Sequence, residues 1–474
     1  MADVILAIDQ GGQSTRAIAY DADGRQLGDA SEEVSTEHPA PGRYEQDPEL
    51  LVRSVRSVVT RLLETLPDHA VPVGAGLATQ RSSAVCWDRE TGQPLSPILS
   101  WRDRRNAAWL RSLDLDPIRV HRVTGLRSSP HYGAAKLRWC LDHIPAVSAA
   151  MNQGRLVFGP MASFLIYRMT RERTLAADPV NASRTLLMDI GSCSWSERML
   201  DEFGISRELL PPVATGETLL GTLDLDGPAI PLRLCTGDQA AALFAGGQPD
   251  PSLALVNAGT GAFVLQKADW PNGEQRLLTS VIRVVDRHLE FALEGTVNGA
   301  ATALEAEAEN LGVDNWRSLL GAAAKSDQIP VFLNGYSGLG SPWWQESFPS
   351  GYEGPGSPAA RLTAVMESIV FMLQVNLAAI RHRVPSQTGI RLGGGLSRLD
   401  GLCQRLADLS RLPVERPAQT EATARGLAWL AFRHERDWSL PGARIFEPRA
   451  NTVLDGRFER WQLAMDRVLG RDNV

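Results

Sequence analysis

Val4-Ile5-Leu6-Ala7-Ile8 runs into Asp9-Gln10-Gly11-Gly12-Gln13-Ser14-Thr15-Arg16, and the chain returns through Ala17-Ile18-Ala19-Tyr20. A fully apolar run of five residues bounded by a polar glycine turn reads as a buried strand. The returning run reads as its antiparallel partner, and Asp23-Gly24 turns the chain into a third strand. Some 250 residues later the same plan restarts. Ser252 to Asn257 is a strand, Ala258-Gly259-Thr260-Gly261 a turn, Ala262 to Leu265 a returning strand, and Leu289 to Leu293 a third. This echo points to a duplicated α/β chain with two lobes, spanning 1–245 and 246–474, around a central cleft.

Helices fill the spaces between strands. Asp47-Pro48-Glu49 combines an acid cap, a proline at the first helical position and an acid in the first turn. Leu51, Val55, Val58 and Leu62 then recur at helical spacing. Met161 to Met169, Asp400 to Leu409 and Ala418 to Phe432 read as further helices, and Val73 to Ala78 as a strand.

Bulk properties narrow the function. The chain has 474 residues, 43% hydrophobic and 22% charged, with a net charge of −7. That is ordinary globular composition, long enough for large cores. The acidic balance argues against a nucleic-acid or membrane surface. Five scattered cysteines without a CxxC pair fit a reducing compartment and no structural zinc. No basic-then-apolar leader opens the chain and no apolar run is long enough to span a membrane, so a cytoplasmic location is expected.

The glycine turns carry the first chemistry. Gly12, Gln13 and Ser14 in one, and Gly259, Thr260 and Gly261 in the other, offer backbone N–H groups and hydroxyls to phosphate. One such hairpin alone is most often structural, but one in each half would hold an oligophosphate from two sides. Neither is a P-loop, since GxxxxGK[ST] does not occur. Asp9, ending its strand at the first turn, is placed either to hold Mg²⁺ through water or to bond its own turn. Arg16 either neutralises phosphate or lies on the surface. Gly393-Gly394-Gly395, between a strand and a helix, admits a flat ligand or makes a tight turn. In Cys235-Thr236-Gly237-Asp238-Gln239, Asp238 is either a helix cap or the acid that does the chemistry.

The ordered set DQGGQSTR (9–16), TQRSSAVCWD (79–88), SWRDRR (100–105), PHYGAAKLRW (130–139), DPVNASRT (178–185), GDQAAALF (237–244), NAGTGAF (257–263), ALEGT (292–296), NGYSGLGSPWW (334–344) and RLGGGLSRLDGL (391–402) resembles the FGGY family of carbohydrate kinases, and within it the glycerol kinase branch. The resemblance runs from Ile5 to about Phe432. It implies an actin-like, ribonuclease H-like, two-lobe ATPase fold that moves the γ-phosphoryl of ATP, with Mg²⁺, to a hydroxyl of a small polyol or sugar. Asp238 matches the catalytic base. Gln80, Arg81, Trp101 and Gln239 match acceptor contacts, with Ser82, His131 and Tyr132 beside them. Residues 9–16 and Gly259 to Gly261 match phosphate loops. Gly299, Gly394, Gly395 and Asp400 match nucleotide contacts, and Asp9 and Asp238 lie near the metal.

Three departures stand out. Ser82 occupies the place of a glutamate, His131 that of a tyrosine, and Gly12-Gln13 that of two threonines. Backbone N–H groups do much of the phosphate binding, so the loop tolerates its change. The acceptor pocket is altered more, leaving room for a longer polyol or a ketose of the xylulose or ribulose type. A non-sugar ATPase of the same fold is the distant alternative. A small-molecule acceptor is the expected partner, and a homodimer is left open.

Overall fold

The computed structural model describes residues 1–214, 219–269, 276–285, 288–322, 329–418, 421–433, 436–438 and 442–470. The chain forms two compact units. The first comprises Met1–Pro249, Thr279–Phe291 and Glu421–Ser439, and the second Asp250–Leu278, Ala292–Thr420 and Leu440–Val474.

In the first unit, β1 (Ala2–Gln10), β2 (Ser14–Asp21) and β3 (Gln26–Glu33) form the expected meander. The helix α1 (Pro48–Thr65) follows, capped by the Asp47 carboxylate, which accepts the Glu49 N–H at 2.8 Å. Its buried face is Leu51, Val55, Val58 and Leu62, as the spacing requires, and it packs on β2 and β3. Each such aliphatic side chain removed from water contributes about 1.5–3 kcal/mol. Next come β4 (Ala70–Thr79), the helix α2 (Gly133–His143), β5 (Leu232–Gly237) and the short helix α3 (Asp238–Leu243). β4 and β5 both run parallel to β1, so the sheet order is β5-β4-β1-β2-β3.

The second unit repeats this plan. β6 (Leu253–Ala258) pairs antiparallel with β7 (Ala262–Ala268), beside which lies β8 (His288–Val297). Two helices follow, α4 (Ala301–Asn310) and α5 (Pro358–Arg383), then β9 (Gly389–Gly393), α6 (Asp400–Ser410) and β10 (Val414–Arg416). β9 runs parallel to β6 and β10 parallel to β9. An antiparallel pair joined by a glycine turn, extended by two parallel strands, therefore occurs twice, which turns the sequence echo into a structural one; the second copy differs in that a further strand, Leu278–Val285, comes between β7 and β8 in the chain.

Two expectations change. The last helix of the first unit, α7, spans Ala422–Phe432, and residues 419–420 of the expected helix lie outside the described residues. α5 has 26 residues and is apolar enough to cross a membrane, against the expectation from uninterrupted runs. Arg361 and Glu367 break its pattern in sequence. Its most apolar window is 78% buried inside the protein, so it is the central core helix of the second unit.

Candidate active site

The parallel strands of the first unit end in one row. Gln10 of β1 and Gly237 of β5 both align with Thr79 of β4. The residues next in chain, Gly11, Gln80 and Asp238, therefore emerge together at the carboxyl edge, where open α/β sheets bind their ligands.

Gly237 is the N-cap of α3, and Asp238 is its first residue. The capping reading of Asp238 is thus replaced by another constraint. The Asp238 carboxylate accepts the Gln239 N–H at 2.7 Å and lies 3.8 Å from the Arg81 guanidinium. Its backbone carbonyl accepts the Thr423 hydroxyl at 3.3 Å. A Cβ on Gly237 would come within 2.6 Å of the Arg81 side chain. Glycine is needed there because Arg81 crosses directly over the backbone.

Asp9 sits opposite Arg16 on the β1–β2 ladder. Burial pushes its carboxyl up to about 7, and the negative charges of Asp238 and Glu421 push the same way, against Arg16. Glu421 also binds Arg16 through two hydrogen bonds, of 2.8 and 3.0 Å, from 405 residues away in the chain. Among the described residues no cluster of three or more His, Cys, Asp or Glu could hold a metal by itself. Magnesium beside nucleotide phosphates keeps several waters and needs only one or two carboxylates. The repulsion between Asp9 and Asp238 suits such a cation.

Gln80 donates to Gln46 at 2.7 Å, and Gln46 in turn donates to the Gly12 carbonyl at 3.3 Å. The other amide atom, Gln80 Oε1, is buried without a hydrogen-bond partner, and so is Ser82 Oγ. Ser82 has φ 65°, in the left-handed region. Buried Lys136 of α2 fixes it by donating to the Ser82 carbonyl at 2.7 Å and also to the His131 carbonyl. Burial pulls the Lys136 ammonium down to about 7, with Asp103 opposing. His131 stacks edge-on to Trp101 at 5.8 Å and to Tyr132 at 4.9 Å. Burial, then Lys136, Arg184, Arg104 and Arg81, hold its imidazole well below its ordinary pKa, so it is neutral. Lys136 thus joins Ser82 to His131 and its aromatic neighbours, Gln46 joins Gln80 to the first glycine turn, and Arg81, between Gln80 and Ser82 in the chain, lies beside the Asp238 carboxylate.

In the second unit the Gly259-Thr260-Gly261 turn joins β6 to β7, and Gly259 N–H donates to the Gly261 carbonyl at 2.9 Å. Gly11 makes the same 2.9 Å bond to Ser14 in the first turn. The chain entering α4 is pinned there, with Ala300 N–H donating to the Thr260 carbonyl and Ala301 N–H to that of Gly259, both at 3.0 Å. Gly299 passes close to Tyr336, where a Cβ would meet side-chain and backbone atoms at 2.7 and 2.8 Å. Gly394, with φ 85°, lies where a Cβ would be 2.4 Å from the Ala258 carbonyl. Gly395 is open on the same turn. Asp400 begins α6 but is held by Arg416 and Arg444, each at 2.8 Å. Its carboxylate is engaged in ion pairs in this structure.

Glu421, Thr423, Gln46 and Lys136 escaped the sequence reading. Glu421 and Thr423 precede or open a helix whose sequence carries no turn or motif, and Lys136 sits in an apolar stretch. Only Lys136 carried a signal, as a lone cation on a buried helix face.

Residues 4–245 match the N-terminal domain of the FGGY family of carbohydrate kinases, and residues 254–435 match its C-terminal domain. The chain is 33% identical to a glycerol kinase of Xanthobacter autotrophicus, with 100% of both chains covered. The structure resembles that of Plasmodium falciparum glycerol kinase with ADP (TM-score 0.87, 23% identity, 99% of this chain and 98% of that one). It also resembles a ligand-bound xylulose kinase of Lactobacillus acidophilus (TM-score 0.86, 16% identity, 99% and 98%). At those identities the two structures speak for the fold alone.

Proposed function

Because the chain belongs to the FGGY family of carbohydrate kinases, and is thus an ATP-dependent phosphotransferase, we propose that its acceptor is a small polyol of the glycerol class and that Asp238 is the base. One observation carries the assignment. Asp238 shares the carboxyl edge of three parallel strands with Gln80 Oε1 and Ser82 Oγ, two buried polar atoms that lack partners. Buried polar atoms are normally satisfied, so hydroxyls of an acceptor are their natural complement.

Phosphoryl transfer asks a protein for positioning and charge neutralisation. Trp101 and Tyr132 hold the carbon chain. Gln80 and Ser82 orient its hydroxyls, and neutral His131 can do so without competing for the proton. Asp238 takes the proton as the acceptor oxygen bonds to the γ-phosphorus and the bridging oxygen leaves with ADP. Arg81 and the Gln239 N–H aim the carboxylate. The N–H groups of the Gly12-Gln13-Ser14 turn, with Arg16, bind phosphate oxygens. Mg²⁺, when bound near Asp9 and Asp238, supplies further charge neutralisation.

The test is ADP release against a panel of glycerol, tetritols, pentitols and ketoses, run with wild type and Asp238→Asn. The variant is expected to lose about 10²–10⁴ in kcat while calorimetric ATP binding stays within a few-fold. Unchanged turnover in Asp238→Asn overturns the assignment of the base. Ser82 supports a second reading, a ketose kinase, because its short side chain leaves space in the acceptor pocket. Xylulose or ribulose turned over faster than any polyol would establish that reading instead.

A further inference from the structure

Another cavity, of about 140 Å³, lies within the first unit along β5, the strand that delivers Asp238. β5 is the edge strand of its sheet, and four consecutive residues, Arg233 to Thr236, line the cavity. Thr236 is 2% exposed, and its hydroxyl has no hydrogen-bond partner. Such a group favours any ligand that brings it a hydrogen bond. Trp429 of α7 supplies a buried apolar wall.

The polar rim is cationic. Arg233, Arg283 and Arg433 line it. Arg283 is paired with Glu290 at 2.7 Å, and Arg233 donates to the Val73 carbonyl at 2.6 Å. The one acid in the lining, Asp178, is turned to its own helix start, where it accepts the Asn181 N–H and side-chain amide, both at 3.0 Å. Guanidinium groups at the rim match a carboxylate or phosphate. The volume limits the body behind it to a few carbons. None of these residues belongs to the acceptor or phosphate machinery.

We propose that this cavity is an effector site for a small hydroxylated organic anion of three or four carbons, a hydroxy acid or a polyol phosphate. The anion sits among the arginines and its hydroxyl reaches Thr236. Thr236 is two residues before Asp238 in an edge strand, so occupancy alters how the carboxylate is held and thereby the rate. That last step rests on Asp238 being the base, whereas binding does not.

Calorimetry on the full chain without nucleotide tests binding, using glycerate and glycerol 3-phosphate as separate probes. The two probes distinguish a carboxylate head from a phosphate head. At least one is expected to bind, with affinity falling about tenfold in Arg433→Gln and in Thr236→Val, and unchanged in Ser82→Ala. The bound probe is expected to change kcat at saturating acceptor and ATP, and that change is expected to vanish in Arg433→Gln while its basal rate persists. The proposal is overturned if neither probe binds, if both variants bind as wild type does, or if Ser82→Ala abolishes binding and so places the probe in the acceptor pocket. Binding without a change in rate overturns the coupling to Asp238. Since the calorimetry contains no ATP, failure of the kinase reading leaves it interpretable.

Discussion

Ser82 combines two costs at one residue: a left-handed backbone and a buried hydroxyl without a partner. The first costs about 1–3 kcal/mol and is characteristic of functional positions, and the second costs a similar amount. Ser82→Ala keeps the backbone and removes the orphan. It is expected to stabilise the ligand-free protein by up to about 1 kcal/mol. The acceptor KM should rise about tenfold, the equivalent of one lost hydrogen bond. Urea denaturation and steady-state kinetics on the same variant check both, and an unchanged KM removes Ser82 from the acceptor site. Sequence did mark this position, but only as a departure from a family pattern. Neither the positive φ nor the missing partner can be read from Gln80-Arg81-Ser82-Ser83, because Lys136 on another element holds the Ser82 carbonyl and tertiary packing buries the hydroxyl.

α2 brings that lysine. Its ammonium replaces water as the partner of two carbonyls, those of Ser82 and His131, and so joins two stretches of the proposed acceptor pocket that are separate in sequence. Lys136→Met leaves both carbonyls buried with one partner fewer. A loss of about 2–3 kcal/mol of stability is expected, along with a larger change in acceptor KM than in kcat. Equal losses in kcat and kcat/KM, with KM unmoved, would instead put Lys136 in the transition-state machinery. Strands and helices of this kind were legible wherever one periodic pattern dominated, as in β1, α1 and α6. α7 shows the limit. Its helical pattern was evident, but its site role depends on Gly426, where a Cβ would be 1.9 Å from the Ala241 carbonyl. That close approach to α3 sets Thr423 on the Asp238 backbone, and no local pattern encodes it.

Across the whole molecule, the duplicated glycine-turn hairpin was legible because glycine turns recur between apolar runs. The division into units was less so, since residues 279–291 and 421–439 belong to the first unit although they follow the second unit's opening strand. Their placement depends on tertiary packing, which leaves no compositional break. The first unit also carries a pH-dependent element. Burial pushes the Asp178 carboxyl up to about 6, although hydrogen bonds from Asn181 oppose the shift. The unfolded value is about 3.9, so the folded state holds this proton more tightly. The resulting stabilisation is complete below about pH 4, declines as pH rises through 6, and is gone above it. It amounts to about 3 kcal/mol at most, from two units at about 1.36 kcal/mol each. Asp178→Asn should flatten denaturation midpoints between pH 4 and 6, and an unaltered slope would assign that dependence to another group.

The long reach from Arg16 to Glu421 also orders events during synthesis. A ribosome adds roughly 5–20 residues per second, so the segment beginning at Glu421 emerges on the order of 10–30 s after Pro249. Until then the strands that present Asp9 and Asp238 lack the helix that completes their unit. The nascent chain therefore completes its first unit only once the segment beginning at Glu421 has been made.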